Sequence, residues 1–256
     1  MKRVSKSIAA VAAVVLLGFA SSGWAAQITI DTAGTGYRSG SGGEFRVTGA
    51  GTEGVALVAS SLPYYYVSGV AGTAWTSGFE TFCIEFNEYI SLPGTYAAGI
   101  SGGAIYGGVA GGIDHDFNAS TPTTDLISIG TAYLYSQFAA GTLAGYTYAP
   151  GAARAASALR LQQAIWYLED EIALPSTNAF LTTVFRLFGT PGAGVGALAG
   201  GAKRDSHGAY GVAALNLGGP PPVKQDQLIM VPDGGLTLTL LGLGLGGLAL
   251  LRRKLS

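Results

Sequence analysis

Cys83 is the one cysteine in a chain of 256 residues, so it cannot be half of an intrachain disulfide. What remains is a buried inert thiol, an intermolecular bond, or the nucleophilic chemistry of a thiolate. It lies in Glu80-Thr81-Phe82-Cys83-Ile84-Glu85-Phe86. Phe82, Ile84 and Phe86 alternate there with Thr81, Cys83 and Glu85, the period of a strand that turns Cys83 away from its most apolar side. A second residue able to do chemistry is a glutamine. Ala158, Leu161, Ile165, Leu168 and Ile172 recur every three or four residues and predict a helix over Arg154–Ile172, with Pro175 closing the region. On that helix Gln162 falls on the flank of the apolar stripe, on the same side as Trp166, and Gln163 points to solvent.

The elements that must position these two segments are mixed. Gln27–Ile30, Phe45–Val47, Val55–Ala59, Tyr64–Val67, Tyr210–Leu217 and Gln225–Val231 carry strand signals separated by glycine-rich loops. Two further helices are predicted. Asp125–Ala140 has Thr123 or Thr124 as cap and Gly141 as stop, and Ala179–Phe188 has Thr177 or Asn178 as cap and Gly189 after it. The expected fold class is α+β: a β-rich ectodomain with about three helices, flanked by a signal peptide and a single C-terminal transmembrane sorting helix.

Both ends carry addresses. Lys2, Arg3 and Lys6 precede an apolar stretch from Ile8 to Ala20, and Gly23-Trp24-Ala25 offers small residues to a signal peptidase, which predicts a signal peptide over 1–25 and an ectodomain over 26–230. At the other end Val231-Pro232-Asp233-Gly234 opens a tail over 231–256. An uncharged run of 16 residues, Leu236–Leu251, leads to Arg252, Arg253 and Lys254. As a helix the run is roughly 24 Å long, short against a hydrocarbon core of about 30 Å. The basic end should stay cytoplasmic and leave the rest on the far side.

Lys and Arg total 14, and six of them lie in these two segments; of 15 acids only Asp233 does. The ectodomain is therefore acidic by about six charges, which argues against nucleic-acid binding and polybasic membrane attachment.

The tail resembles the PEP-CTERM sorting signals of Gram-negative bacteria, in a variant where Val231-Pro232-Asp233-Gly234 replaces Val-Pro-Glu-Pro. The resemblance implies recognition by an exosortase-type membrane protease. It places the protein in the inner membrane in transit, then in the periplasm, on the outer surface or in the extracellular matrix. Phe-Cys-Ile-Glu at 82–85 and Gln-x-Ala-Ile-Trp at 162–166 together resemble the thioester domains of Gram-positive surface adhesins. That likeness implies Cys83 as nucleophile, Gln162 as acyl donor and Trp166 as the motif aromatic, with a surface amine-bearing ligand as partner. Leu161 stands where the family usually has threonine, and 79 residues separate the pair. Proteins with PEP-CTERM tails often carry both motifs, so the pair also fits a passive envelope or exopolysaccharide-associated protein with no such bond.

Other constellations are weak. Asp114-His115-Asp116-Phe117-Asn118 superficially resembles a calcium loop, but Ala119 stands where the EF-hand needs glycine. Asp205-Ser206-His207 reads as a solvated turn, since adjacent loop residues do not converge on a nucleophile. Gly242, Gly244 and Gly247 match a dinucleotide pattern by spacing alone, inside the apolar tail. No metal site, cofactor or enzyme activity is expected.

Overall fold

The computed structural model describes residues 26–40, 42–65, 77–105, 124–192, 200–218 and 224–231. The predicted signal peptide, the tail beyond Val231 with Pro232, Asp233, Gly234, Arg252, Arg253 and Lys254, and the 114–118 loop lie outside them. Among the described residues no helix is long and apolar enough to cross a membrane.

The chain runs through β1 (Ala26–Thr32), β2 (Arg38–Ser39), β3 (Gly42–Gly43), β4 (Phe45–Ala50), α1 (Gly51–Ser61), β5 (Gly78–Thr81), β6 (Gly94–Ser101), β7 (Gly103–Ile105) and β8 (Thr124–Leu126). It continues with α2 (Ile129–Ala139), α3 (Ala152–Leu168), α4 (Ala179–Phe188), β9 (Val212–Leu217) and β10 (Lys224–Met230). Six strands form one antiparallel sheet in the order β10-β9-β6-β1-β4-β5. The residues just after β5 return to its other end: Leu228 N–H donates to the Phe82 carbonyl and Ile84 N–H to the Asp226 carbonyl, each at 3.0 Å. The curled sheet thus closes on itself, and neither outer strand is left as a fully open edge.

Alternation of side chains divides the core in two. Ile28, Ile30, Phe45, Val47, Phe79, Cys83, Leu215 and Ile229 point to the inside of the curl, where Val58 of α1 and Trp166 of α3 join them. Phe82, Ile84, Val212, Ala214, Leu228 and Met230 face outward and are covered by α2, α3 and α4. Within α3 Ala158, Leu161, Ile165 and Leu168 are completely buried, so the stripe seen in the sequence is the face laid on the sheet.

Several sequence expectations need correction. There are four α-helices among the described residues instead of about three, because Val55–Ala59 belongs to α1. Its glycines let that helix lie on backbone: a methyl on Gly54 would stand 1.7 Å from the Gln27 carbonyl oxygen, and this packing overrides the β preference of the valines. Tyr64 ends a 3-10 turn instead of starting a strand. The helix expected from Asp125 begins at Ile129, capped by the Ser128 hydroxyl, because Thr124–Leu126 pairs with β7. Conversely α4 begins where expected, with the Asn178 side chain accepting from Phe180 N–H at 3.0 Å.

Helix α3 stops at Leu168, four residues before the predicted end. Glu171 N–H donates to the Trp166 carbonyl and Asp170 N–H to that of Tyr167, a Schellman closure with Asp170 at φ 60° in the place glycine usually takes. An ion pair from Lys203 holds Asp170 there.

Truncating the stripe is expected to be costly. Ile165→Ala should destabilise the protein by about 3 kcal/mol, whereas Gln163→Ala should stay within about 0.5 kcal/mol. Equilibrium urea denaturation of the two variants checks this, and a neutral Ile165→Ala would mean that α3 does not cover the sheet.

Candidate functional site

Cys83 sits where the sheet closes, and its backbone faces an awkward position. It pairs with Gln227 of β10 as an isolated bridge. The bonds to that strand are made by its neighbours Phe82 and Ile84, so the N–H and C=O of Cys83 itself point to the opposite side. Strand β4 would be the partner there, but its pairing with β5 ends at Phe45 opposite Thr81. Two buried backbone groups would thus be orphaned, at a cost of about 1–3 kcal/mol each. The side chain of Gln162 fills the gap. Its Oε1 accepts from Cys83 N–H at 3.2 Å and its Nε2 donates to the Cys83 carbonyl at 2.7 Å.

The same Oε1 also accepts from the Cys83 thiol, with Sγ at 3.1 Å. A C=O bond is about 1.2 Å long, so the sulfur stands within about 4.3 Å of the Gln162 carbonyl carbon. Both residues are fully buried. Gln163, next in sequence, is half-exposed on the outer side of α3.

Trp166 lies one turn along α3, 4 % exposed, in the same cluster as Cys83. Phe86, itself 43 % exposed, closes over it edge-to-face with ring centroids 4.9 Å apart. The structure therefore brings Cys83, Gln162 and Trp166 together in the buried interior, with the hydrogen-bonded contact between Sγ and Oε1 made by the first two.

Electrostatics favour the neutral thiol. Burial pushes the Cys83 pKa well up, and the nearby Glu85 adds to this, while the Trp166 indole and the Arg38 charge pull weakly the other way. Glu85 is buried and raised well above the usual carboxylate range, first by burial and then by Asp226 and Glu88. Asp226 is raised to about 7 by burial, against the bonds it accepts from Ile105 N–H, Asn216 Nδ2 and Leu217 N–H. The two acids are tied through Asp226 N–H, which donates to Glu85 Oε2 at 2.7 Å.

Beyond these residues α3 carries a second buried centre that sequence reading missed. Arg154 grips Glu44 through Nε at 2.8 Å and Nη2 at 2.6 Å, and Glu80 at 2.7 Å. Glu80 is raised to about 8, chiefly by burial and then by Glu44. In the sequence Arg154 is only the first residue of the predicted helix; its full burial reveals the cluster.

No group of acids, histidines and cysteine able to hold a metal ion occurs among the described residues. His207 is exposed at a turn with φ 48°, and Asp205 and Ser206 beside it are buried.

Comparison with known proteins speaks to the tail. A family model described as the VPDSG-CTERM motif matches residues 230–255. The chain carries a PEP-CTERM-like sorting signal. Val231, Pro232, Asp233, Gly234, Arg252, Arg253 and Lys254 all lie in the matched stretch. This makes it an exported, envelope-associated protein addressed to a sorting protease such as an exosortase. No curated protein and no solved structure matches the chain.

The carboxyl groups set a pH dependence. Glu80, Asp226 and Glu85 bind protons more tightly folded than unfolded. Their contribution is complete below the unfolded carboxylate pKa of about 4 and is lost as pH rises, for Asp226 through about 7 and for Glu80 through about 8. The melting temperature should therefore fall between about pH 5 and pH 8. Asp226→Asn should flatten part of that slope; a protein that becomes more stable over this range would contradict the assignment.

Proposed function

We propose that this protein is an exported surface or matrix component whose Cys83–Gln162 pair forms an internal thioester, for covalent attachment to a nucleophile such as a surface amine. The supporting observation is the contact of Sγ with Oε1 at 3.1 Å between two fully buried side chains. In the reaction the sulfur bonds to the Gln162 carbonyl carbon and the bond from that carbon to Nε2 breaks. The thiol proton ends on the departing ammonia, so no outside reagent is required.

The raised thiol pKa opposes this step. Two features assist it. The neutral thiol already shares its proton with the carbonyl it would attack, and Cys83 N–H stands at 3.2 Å from the oxygen on which negative charge would develop. Trp166 and Phe86 would keep water from the bond once made. In the transfer step the amine nitrogen attacks the same carbon, the sulfur leaves, and the amine's proton returns to it.

A second reading follows from a specific observation. Gln162 satisfies both backbone groups of Cys83, which is sufficient reason for a glutamine there in a passive envelope or exopolysaccharide-associated protein. Intact mass of the exported protein separates the two. The thioester reading expects a chain one ammonia lighter, without a free thiol. It further expects uptake of a small primary amine that both Cys83→Ala and Gln162→Ala abolish and Gln163→Ala leaves intact. Full mass with a titratable thiol would establish the passive reading.

For the address, deleting Arg252–Lys254 should leave export unchanged and block processing, so that the uncleaved form accumulates in the inner membrane on fractionation. Equal processing of both forms would refute an exosortase-type partner.

A further inference from the structure

The pair is covered from two sides, and the covers are built differently. Trp166 shares the buried cluster of the sulfur, and Phe86 packs on Trp166 from outside. The β2–β3 hairpin closes over the glutamine: a methyl placed on Gly42 would stand 2.8 Å from Cγ and 3.2 Å from Cβ of Gln162, nearer than two carbons approach. Glycine at 42 is thus what allows the hairpin backbone to lie flush on the Gln162 stem.

The hairpin is weakly made along its length and firmly held at its base. Its ladder joins only Arg38 with Gly43 and Ser39 with Gly42. The Arg38 guanidinium adds a long 3.4 Å bond to the Gly40 carbonyl. At the base, by contrast, Tyr37 and Glu44 both grip Arg154: the guanidinium lies 4.2 Å over the Tyr37 ring and is bonded twice to the Glu44 carboxylate. Gly36 accepts from Gly151 N–H at the start of the same helix, at 3.2 Å. Arg154 and Gln162 are eight residues apart on α3, so one helix both carries the covered residue and bolts down the cover.

We propose that this hairpin is the cover through which reagents reach the Cys83–Gln162 pair, and that Arg154 is the positioning residue that holds it shut. Lifting the hairpin as a unit leaves its own two-residue ladder intact and parts the flat Gly42–Gln162 contact once the Arg154 grip is loosened, while displacing Trp166 would open the interior of the curled sheet. Glu44 is the handle by which the lock is loosened. The inference rests on the proposed thioester only for the kind of reagent admitted.

The test uses the exported chain and a readout available in either case. If the mass shows ammonia lost, it is the uptake of a biotinylated primary alkylamine; if not, it is iodoacetamide labelling of Cys83. Glu44→Gln weakens the Arg154 grip with little change of shape, and should raise the native rate about tenfold, the scale of a weakened charged hydrogen bond. That rate should depend only shallowly on urea, as local opening does. Phe86→Ala should raise it less than Glu44→Gln does. Val184→Ala, which destabilises the outer core on α4 away from the hairpin, should leave the rate in water unchanged and controls for general loss of stability. Reaction that rises steeply with urea, or that Val184→Ala accelerates as much as Glu44→Gln, would mean access by global unfolding. A larger effect of Phe86→Ala would move the route to the sulfur side. Either result overturns the proposal.

Discussion

One side chain stands in for a strand. Where β4 runs out, the sheet has to complete its closure through Phe82, Cys83 and Ile84, and the Cys83 peptide groups face α3 instead of a neighbouring strand. The Gln162 carboxamide offers the same donor and acceptor as a backbone peptide at 2.7 and 3.2 Å. That substitution fixes the rotation of α3, since turning the helix by one residue would bring Gln163 to the seam and the outer stripe to solvent. The rotation fixes the rest: Leu161, Ile165 and Leu168 enter the outer core, Trp166 enters the curl, and Arg154 meets Glu44 and Glu80.

The constraint explains why a structural need and a chemical opportunity coincide. A carboxamide that satisfies Cys83 N–H and C=O at once places its carbonyl beside the Cys83 side chain. With a thiol on that side chain, sulfur and carbonyl carbon are held at close range inside a dry core without further design. The opposing term is also local. Burial and Glu85 favour the protonated thiol, so in the proposed thioester reaction proximity and the polarising N–H would have to do what a thiolate would otherwise do.

Much of this was legible in the sequence, for identifiable reasons. Period and flank position on α3 follow from helix geometry alone, which is why Gln162 and not Gln163 could be placed on the inner side. The Asn178 cap of α4 and the closing β9–β10 pair are local signals of the same kind. What could not be read was set by distant partners. Val55 and Val58 became helical because Gly49 and Gly54 let α1 lie on β1 and β4 backbone. The helix start moved from Asp125 to Ile129 because β7 captured Thr124–Leu126. Asp170 ends α3 without a glycine because Lys203, 33 residues away, holds it. The ion cluster at Arg154 joins residues 110 and 74 positions apart, and no local pattern announces it.

Two buried charge systems serve different ends. The acids at the sheet seam, Glu85 and Asp226, share their hydrogen bonds with β9, β10 and the Ile105 backbone, so they tie strands together, and Glu85 acts on Cys83 through its field. The Arg154 cluster ties a hairpin to a helix. A buried ion pair of this sort adds little net stability compared with apolar packing, because desolvation consumes most of the attraction. Its value lies in specifying geometry: a planar guanidinium donates to Glu44 through two nitrogens and lays its face on Tyr37, and admits no sliding of the hairpin along α3. An apolar contact at the same place would be equally stable and far less particular about register. For a hairpin whose Gly42 has to rest on the stem of Gln162, register is the property that matters.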